Sequence, residues 1–177
     1  MKTYNIKEKI KEYFFINPTA KLRVRQIERE LKLPLPSVIR YIKEFVKDGI
    51  LNKVIISGVE LYSADRSYKR FLVKKQLYNI ESLYESKLID KLVLKYNNPT
   101  IVLFGSYSRG EDIEDSDVDL YIETPSKITI ELGEFEKKLQ RKIQLFVYKG
   151  INKVENKELA NNILNGIVLN GYVEVFK

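Results

Sequence analysis

Cysteine, histidine and tryptophan are absent from this 177-residue chain, methionine occurs once, and proline and glycine number only 5 and 8. Without cysteine there is no disulfide framework, thiolate zinc site, iron–sulfur cluster or thiol nucleophile. Without histidine there is no triad base and no imidazole ligand, so any metal here must be held by oxygen. Long hydrophobic runs are missing too: Val54-Ile55-Ile56 and Ile101 to Phe104 are among the longest. No stretch reaches transmembrane length and no signal-peptide core follows Met1, so a cytoplasmic protein without membrane association is expected.

Apolar residues make up 44% of the chain, enough to bury a core, and at this length two small domains are expected. Charge divides them. Residues 1–97 carry 21 Lys and Arg against 11 Asp and Glu, net +10, whereas residues 98–177 carry 10 against 13, net −3. The basic half suggests a polyanionic partner or simply a lysine-rich solvated surface, and the acidic half suggests a site for cations.

Ile6, Ile10, Tyr13 and Phe14 recur at helical spacing until Asn17-Pro18, which predicts a first helix over about 4–16. Val24, Ile27 and Leu31 share one face of a short second helix, and Leu33-Pro34-Leu35-Pro36 makes a tight connection. A third helix is expected from about Pro36 to Asp48, ended by Gly49. It turns Val38, Ile39, Ile42, Phe45 and Val46 to the core, leaving Ser37, Arg40, Tyr41, Glu44 and Lys47 opposite and Lys43 at the edge. Leu51 to Tyr62, broken at Ser57-Gly58, reads as a hairpin.

That order of elements resembles a winged helix-turn-helix domain over residues 1–64, in pattern rather than through a diagnostic motif. The resemblance implies DNA binding, with Ser37, Arg40, Tyr41 and Glu44 at base edges and Arg23, Arg25, Lys43, Lys47 and Lys53 at phosphates. Glu44 fits awkwardly, because it repels phosphate unless it accepts from a cytosine amine. A protein-docking domain with solvated lysines is the alternative. Residues 65–81 form a helical linker, and the stretch 65–96, free of Gly and Pro, is one helix or two, with Asn79 and Ser82 as break points. Its exposed tyrosines could support a homodimer.

Beyond an Asn97-Asn98-Pro99 loop, the apolar run Thr100 to Phe104 suits a buried strand. It is followed by Gly105-Ser106-Tyr107-Ser108-Arg109-Gly110 and then by Ser116-Asp117-Val118-Asp119-Leu120. A glycine at a strand exit lets backbone approach a phosphate, Ser106 can add a hydroxyl donor, and a following helix start supplies oriented N–H groups. Asp117 and Asp119, two apart on a strand, put both carboxylates on one face, a hard-oxygen pair suited to Mg2+ together with phosphate oxygens. Arg109 could assist at phosphate or lock the loop by pairing with an acid. Glu111, Asp112, Glu114 and Asp115 read as a solvated loop, with a rim for a basic acceptor as the alternative.

This pattern resembles the signature of the nucleotidyltransferases related to DNA polymerase β, in their minimal form, over residues 82–177. The expected architecture is therefore α+β: a winged helix-turn-helix, a helical linker, and a nucleotidyltransferase fold with a mixed sheet flanked by helices. Elements expected after the motif are a helix near Gly133 to Lys142, a strand Ile143 to Tyr148, a helix around Asn156 to Leu164, and a hairpin at Asn170-Gly171. The resemblance implies Asp117 and Asp119 as catalytic and metal-holding residues, and Gly105, Ser106, Arg109 and Gly110 at the nucleotide. It further implies Mg2+ or Mn2+ as cofactor, a nucleoside triphosphate as substrate, and a HEPN-type partner protein, since minimal nucleotidyltransferases often serve as antitoxins.

In one place the pattern departs from the family. Where active members carry a third aspartate on the next strand, this chain has Gln144, whose amide accepts no proton. Glu123 lies on the Asp117/Asp119 face but further along the strand, and is not expected to replace it. Two functions follow: a DNA-associated transferase moving a nucleotidyl group to a hydroxyl acceptor, or a nucleotide-sensing, antitoxin-like DNA-binding regulator without turnover.

Overall fold

Asn5 starts the first helix by accepting from the backbone N–H groups of Lys7 and Glu8 at 3.1 and 3.4 Å, ahead of α1 (Ile6–Ile16). The computed structural model describes residues 5–126 and 128–176, so residue 4, expected in this helix, lies outside them. Two compact units emerge, Met1–Lys75 and Gln76–Lys177.

In the first unit, α2 (Val24–Leu31) buries Ile27 and Leu31, and Lys32 turns the chain in the left-handed region at φ 51°. α3 (Leu35–Lys47) follows, with Pro36 in its first turn, where the missing N–H costs nothing. Its core residues are Val38, Ile42 and Phe45; Ile39 is instead exposed and Val46 only half-buried, so the buried stripe is narrower than the pattern suggested. Gly49, at φ 68°, and Ile50, whose N–H donates to Phe45 O at 2.9 Å, close the helix as a left-handed cap. β1 (Leu51–Ile56) pairs antiparallel with β2 (Val59–Ala64) around Ser57 and Gly58, both at positive φ, the two-residue turn whose twist matches the strands. Leu22 bridges to Tyr62 in both directions (3.0 and 2.8 Å), fixing the segment before α2 against β2.

The stretch 65–96 forms two helices, α4 (Lys69–Glu85) and α5 (Leu88–Lys95). Neither Asn79 nor Ser82 breaks them. Asn79 is buried, and its amide donates to Tyr107 O and Asp112 Oδ1, so it does not compete for its own backbone. The break falls at Ser86, whose hydroxyl donates to Leu83 O and accepts from Leu88 N, and at Lys87, with φ 71°.

The second unit is built on a mixed four-stranded sheet in the order β5-β4-β3-β6. β3 (Thr100–Phe104) lies between β4 (Val118–Glu123) and β6 (Ile167–Asn170), antiparallel to both, and β5 (Ile143–Tyr148) runs parallel to β4. From Ile101 to Phe104 every residue of β3 is buried, because both sheet faces are covered. One face packs Ile101, Leu103, Leu120 and Ile122 against Leu83, Leu88 and Leu92 of α4 and α5 and against Phe135 of α7 (Gly133–Leu139). The other packs Val102, Phe104 and Tyr121 against Ile151, Val154 and Ile163, the last from α8 (Lys157–Leu164).

Two element ends differ from expectation. α7 stops at Leu139 rather than Lys142, because Gln140 takes a left-handed cap at φ 52°. Asn170-Gly171 starts no hairpin: 172–176 form no strand. Asn170 donates instead to Asn98 Oδ1 and Pro99 O, and Thr100 Oγ1 donates to Tyr172 O, which ties this segment to the start of β3. Among the described residues no helix is long and apolar enough to cross a membrane.

Candidate active site

At the exit of β3 the chain turns into α6 (Gly105–Arg109), a short helix bracketed by two glycines in the left-handed region, Gly105 at φ 73° and Gly110 at φ 69°. Both positions favour glycine on backbone grounds, and Gly105 does so also on space. Phe104 is the register partner of Asp119, and a side chain at Gly105 would overlap the Asp119 carboxylate. The expected phosphate-approach glycine and the second aspartate of the motif are therefore in contact. Ser108 Oγ donates to Gly105 O at 2.8 Å and Glu111 N to Ser106 O at 3.0 Å, which closes the turn around Ser106.

Asp117 is exposed immediately before β4 and Asp119 is half-buried within it. Burial, and second the charge of Asp117, hold the Asp119 carboxyl above its ordinary value of 3.8. Repelling carboxylates, one of them partly desolvated, form a pair that a divalent cation relieves. Two carboxylates completed by substrate phosphates and water suit Mg2+ in particular, so the donor set fits that ion. Among the described residues no three Asp, Glu, His or Cys side chains are grouped so as to hold a metal ion by themselves. The third neighbour is Gln144, the register partner of Asp119 on β5. Glu123 alternates onto the Asp119 face, as expected, but accepts from Tyr121 Oη at 2.8 Å near the far end of the strand.

Arg109 pairs with Glu111, Nε to Oε2 at 2.7 Å, with both side chains about half exposed. It is a loop-locking contact that solvent weakens enough for a ligand to displace. Asp112 departs from the solvated-loop expectation. It is 1% exposed and accepts from Asn79 at 2.8 Å and from buried Arg141 Nη2 at 3.3 Å. Gln76 Nε2 adds a bond to Ser108 O at 2.6 Å. Residues of α4 thus hold α6 and the loop that leads to Asp117. Sequence reasoning missed Asn79, Asp112 and Arg141, because their contacts span 28 to 33 residues and no local pattern marks them. A cavity of about 740 Å3 opens beside Asp117, its lining mixing Glu114, Asp115 and Glu136 with Lys137, Arg141 and Lys142.

In the first unit, Ser37 is half-buried, while Arg40, Lys43 and Lys47 are exposed along α3. Arg40 lies over the Tyr41 ring, 4.5 Å from its centroid, and Lys7 Nζ meets Glu44 Oε2 at 2.8 Å, which neutralises the acid that fitted a DNA face poorly. Lys53 pairs across the hairpin with Glu60 at 2.7 Å. Arg23 and Arg25 sit with Lys21 and Arg29 around a pocket beside α2.

Comparison with known proteins gives one matching family, over residues 85–170, described as a nucleotidyltransferase domain. The chain is 28% identical over 111 residues to the catalytic polypeptide of DNA polymerase epsilon from Kluyveromyces lactis, a match covering 63% of this chain and 5% of that protein. The chain therefore spans a small fraction of that relative's length. No solved structure matches. The segment similar to that family, residues 85–170, lies in the second unit and holds β3, the turn at Gly105, Asp117, Asp119 and Gln144.

Proposed function

We propose that the protein transfers a nucleotidyl group from a nucleoside triphosphate to a hydroxyl acceptor, with Asp117 and Asp119 holding Mg2+, or Mn2+ in its place. The observation that carries this reading is the contact of the Asp119 carboxylate with Gly105, beside the Asp117 charge. A cation held there neutralises charge on the triphosphate and on the transition state. Gly105 leaves room for the Asp119 carboxylate against the backbone, Ser106 offers a hydroxyl donor, and Arg109 exchanges Glu111 for phosphate. The acceptor oxygen bonds to the α-phosphorus, the bond to the β-phosphate breaks, and pyrophosphate leaves. Gln144 cannot take the hydroxyl proton, which passes to solvent, and turnover is slow because general-base help is worth about 10² to 10⁴ in rate.

The first unit is read as a winged helix-turn-helix that binds DNA, α3 presenting Ser37, Arg40 and Tyr41 to base edges, with Lys43 and Lys47 toward phosphate. Three helices and a hairpin in this order, with exposed cations along α3, support it. A second reading, a nucleotide-sensing regulator without turnover, is favoured by the register of Gln144 beside Asp119. The discriminating experiment incubates the purified protein with each α-labelled nucleoside triphosphate, Mg2+ or Mn2+ and cell extract, with Asp119→Asn as control. Label on protein or RNA that the control loses establishes the transferase and identifies its acceptor class. Metal-dependent nucleotide binding with no transfer leaves the regulator.

A further inference from the structure

We propose that the phosphate anchor of the first unit is a four-cation pocket beside α2, formed by Lys21, Arg23, Arg25 and Arg29, and that its ligand is the backbone of duplex DNA. The inference rests on the DNA-binding reading and deepens it by moving the main electrostatic contact away from the hairpin. Elsewhere in this unit several cations are already compensated. Lys7 is paired with Glu44, Lys11 with Glu8, and Lys53 with Glu60, whose carboxylate also accepts from Tyr62 Oη at 2.7 Å. The hairpin lysine therefore offers a polyanion little net charge.

The pocket is different. Its volume is about 470 Å3, and its lining, completed by Gln26 and Leu61, contains no acid. The four cations are exposed, and among the described residues none of them forms an ion pair. The nearby acid Glu30 is engaged by Tyr13 Oη at 2.6 Å. The floor is rigid, because Leu22 is bonded twice to Tyr62 and Arg23 N–H donates to Gln26 Oε1 at 2.8 Å, so residues 21–23 are held against β2. The start of α2 adds partial positive charge. Four like charges held together without counter-ions repel one another, and arginine forks match phosphate oxygens in geometry.

The test is fluorescence anisotropy of the full-length protein with labelled duplexes of unrelated sequence, across a salt titration. Arg25→Ala and Arg29→Ala are compared with Lys11→Ala, which removes an already paired charge. Each arginine variant lowers the magnitude of the slope of log K against log salt by about 0.9, equally for every duplex, and Lys11→Ala leaves it unchanged. Arg25 and Arg29 are exposed and Lys11 is half-buried, and thermal melts verify that the fold persists in each variant. Wild-type binding with the same slope in both arginine variants overturns the pocket and leaves the DNA reading standing. No binding of any duplex by the wild-type protein at low salt removes the DNA reading and the pocket's role together.

Discussion

Asp119 and Gln144 are register partners across the parallel β4–β5 pair, so the amide occupies the place on the neighbouring strand closest to the half-buried carboxylate. A neutral amide thus stands beside Asp119 where the family resemblance leads one to expect a third carboxylate. Gln144→Asp is expected to tighten Mg2+ binding and to raise the transfer rate, by up to the roughly 10² to 10⁴ that general-base help supplies. Gln144→Ala should do neither. Calorimetric metal titration and label-transfer rates on the same preparations check this.

Gly105→Ala tests the other neighbour of Asp119. The new methyl group overlaps the carboxylate and sits at φ 73°, where a side chain costs about 1–2 kcal/mol. Metal-dependent nucleotide binding should be lost, and the melting temperature of the second unit should fall by about 4 °C or more. Wild-type nucleotide affinity in this variant would remove Gly105 from the site.

Removing one partner of the buried Asp112–Arg141 pair leaves the other charge uncompensated. Asp112→Ala is expected to destabilise the second unit by about 3–5 kcal/mol and to loosen the loop ahead of Asp117. Urea denaturation followed in the second unit measures the first effect. Arg109→Ala, which breaks an exposed pair, should change stability by no more than about 1 kcal/mol.

Protonation of Asp119 is favoured by folding, because burial raises its carboxyl. Its folded value lies above the ordinary 3.8, so as pH rises the unfolded chain gives up this proton first. The contribution of Asp119 to stability is therefore full below the ordinary value and is lost as pH climbs through it to the folded value. Mg2+ should reverse the loss by favouring the carboxylate. Asp117→Asn should bring the value only part of the way down, because burial is the larger cause. Carbon-13 NMR of the carboxyl groups reports each case, and an ordinary Asp119 value in the wild-type protein would contradict the geometry.

Local pattern carried much of this. The strand Thr100 to Phe104, the glycine that follows it and the Asp117/Asp119 spacing were all legible, since each depends on residues close in sequence, whereas Gln144 drew notice only through the family resemblance. The helix break at Ser86 was not, because nothing nearby distinguishes its hydroxyl from that of Ser82; the outcome depends on which one finds Leu83 O and Leu88 N. Asp112 read as one more acid in a solvated loop until Asn79 and Arg141 arrived from distant parts of the chain. Asn170-Gly171 carries a hairpin signal, yet Asn170 commits its amide to Pro99 and Asn98. For Asp112 and Asn170 a long-range contact overrode a correct local rule.

Nucleotidyl transfer requires attack at the α-phosphorus of the triphosphate. Parallel incubations with α-labelled and γ-labelled triphosphate, Mg2+ and the acceptor fraction separate the alternatives directly. Stable label on the acceptor from the α-position only, stoichiometric pyrophosphate, and loss of both in Asp117→Asn and Asp119→Asn are expected. Transfer of the γ-label, or persistence of α-transfer in both aspartate variants, would contradict nucleotidyl transfer at Asp117 and Asp119.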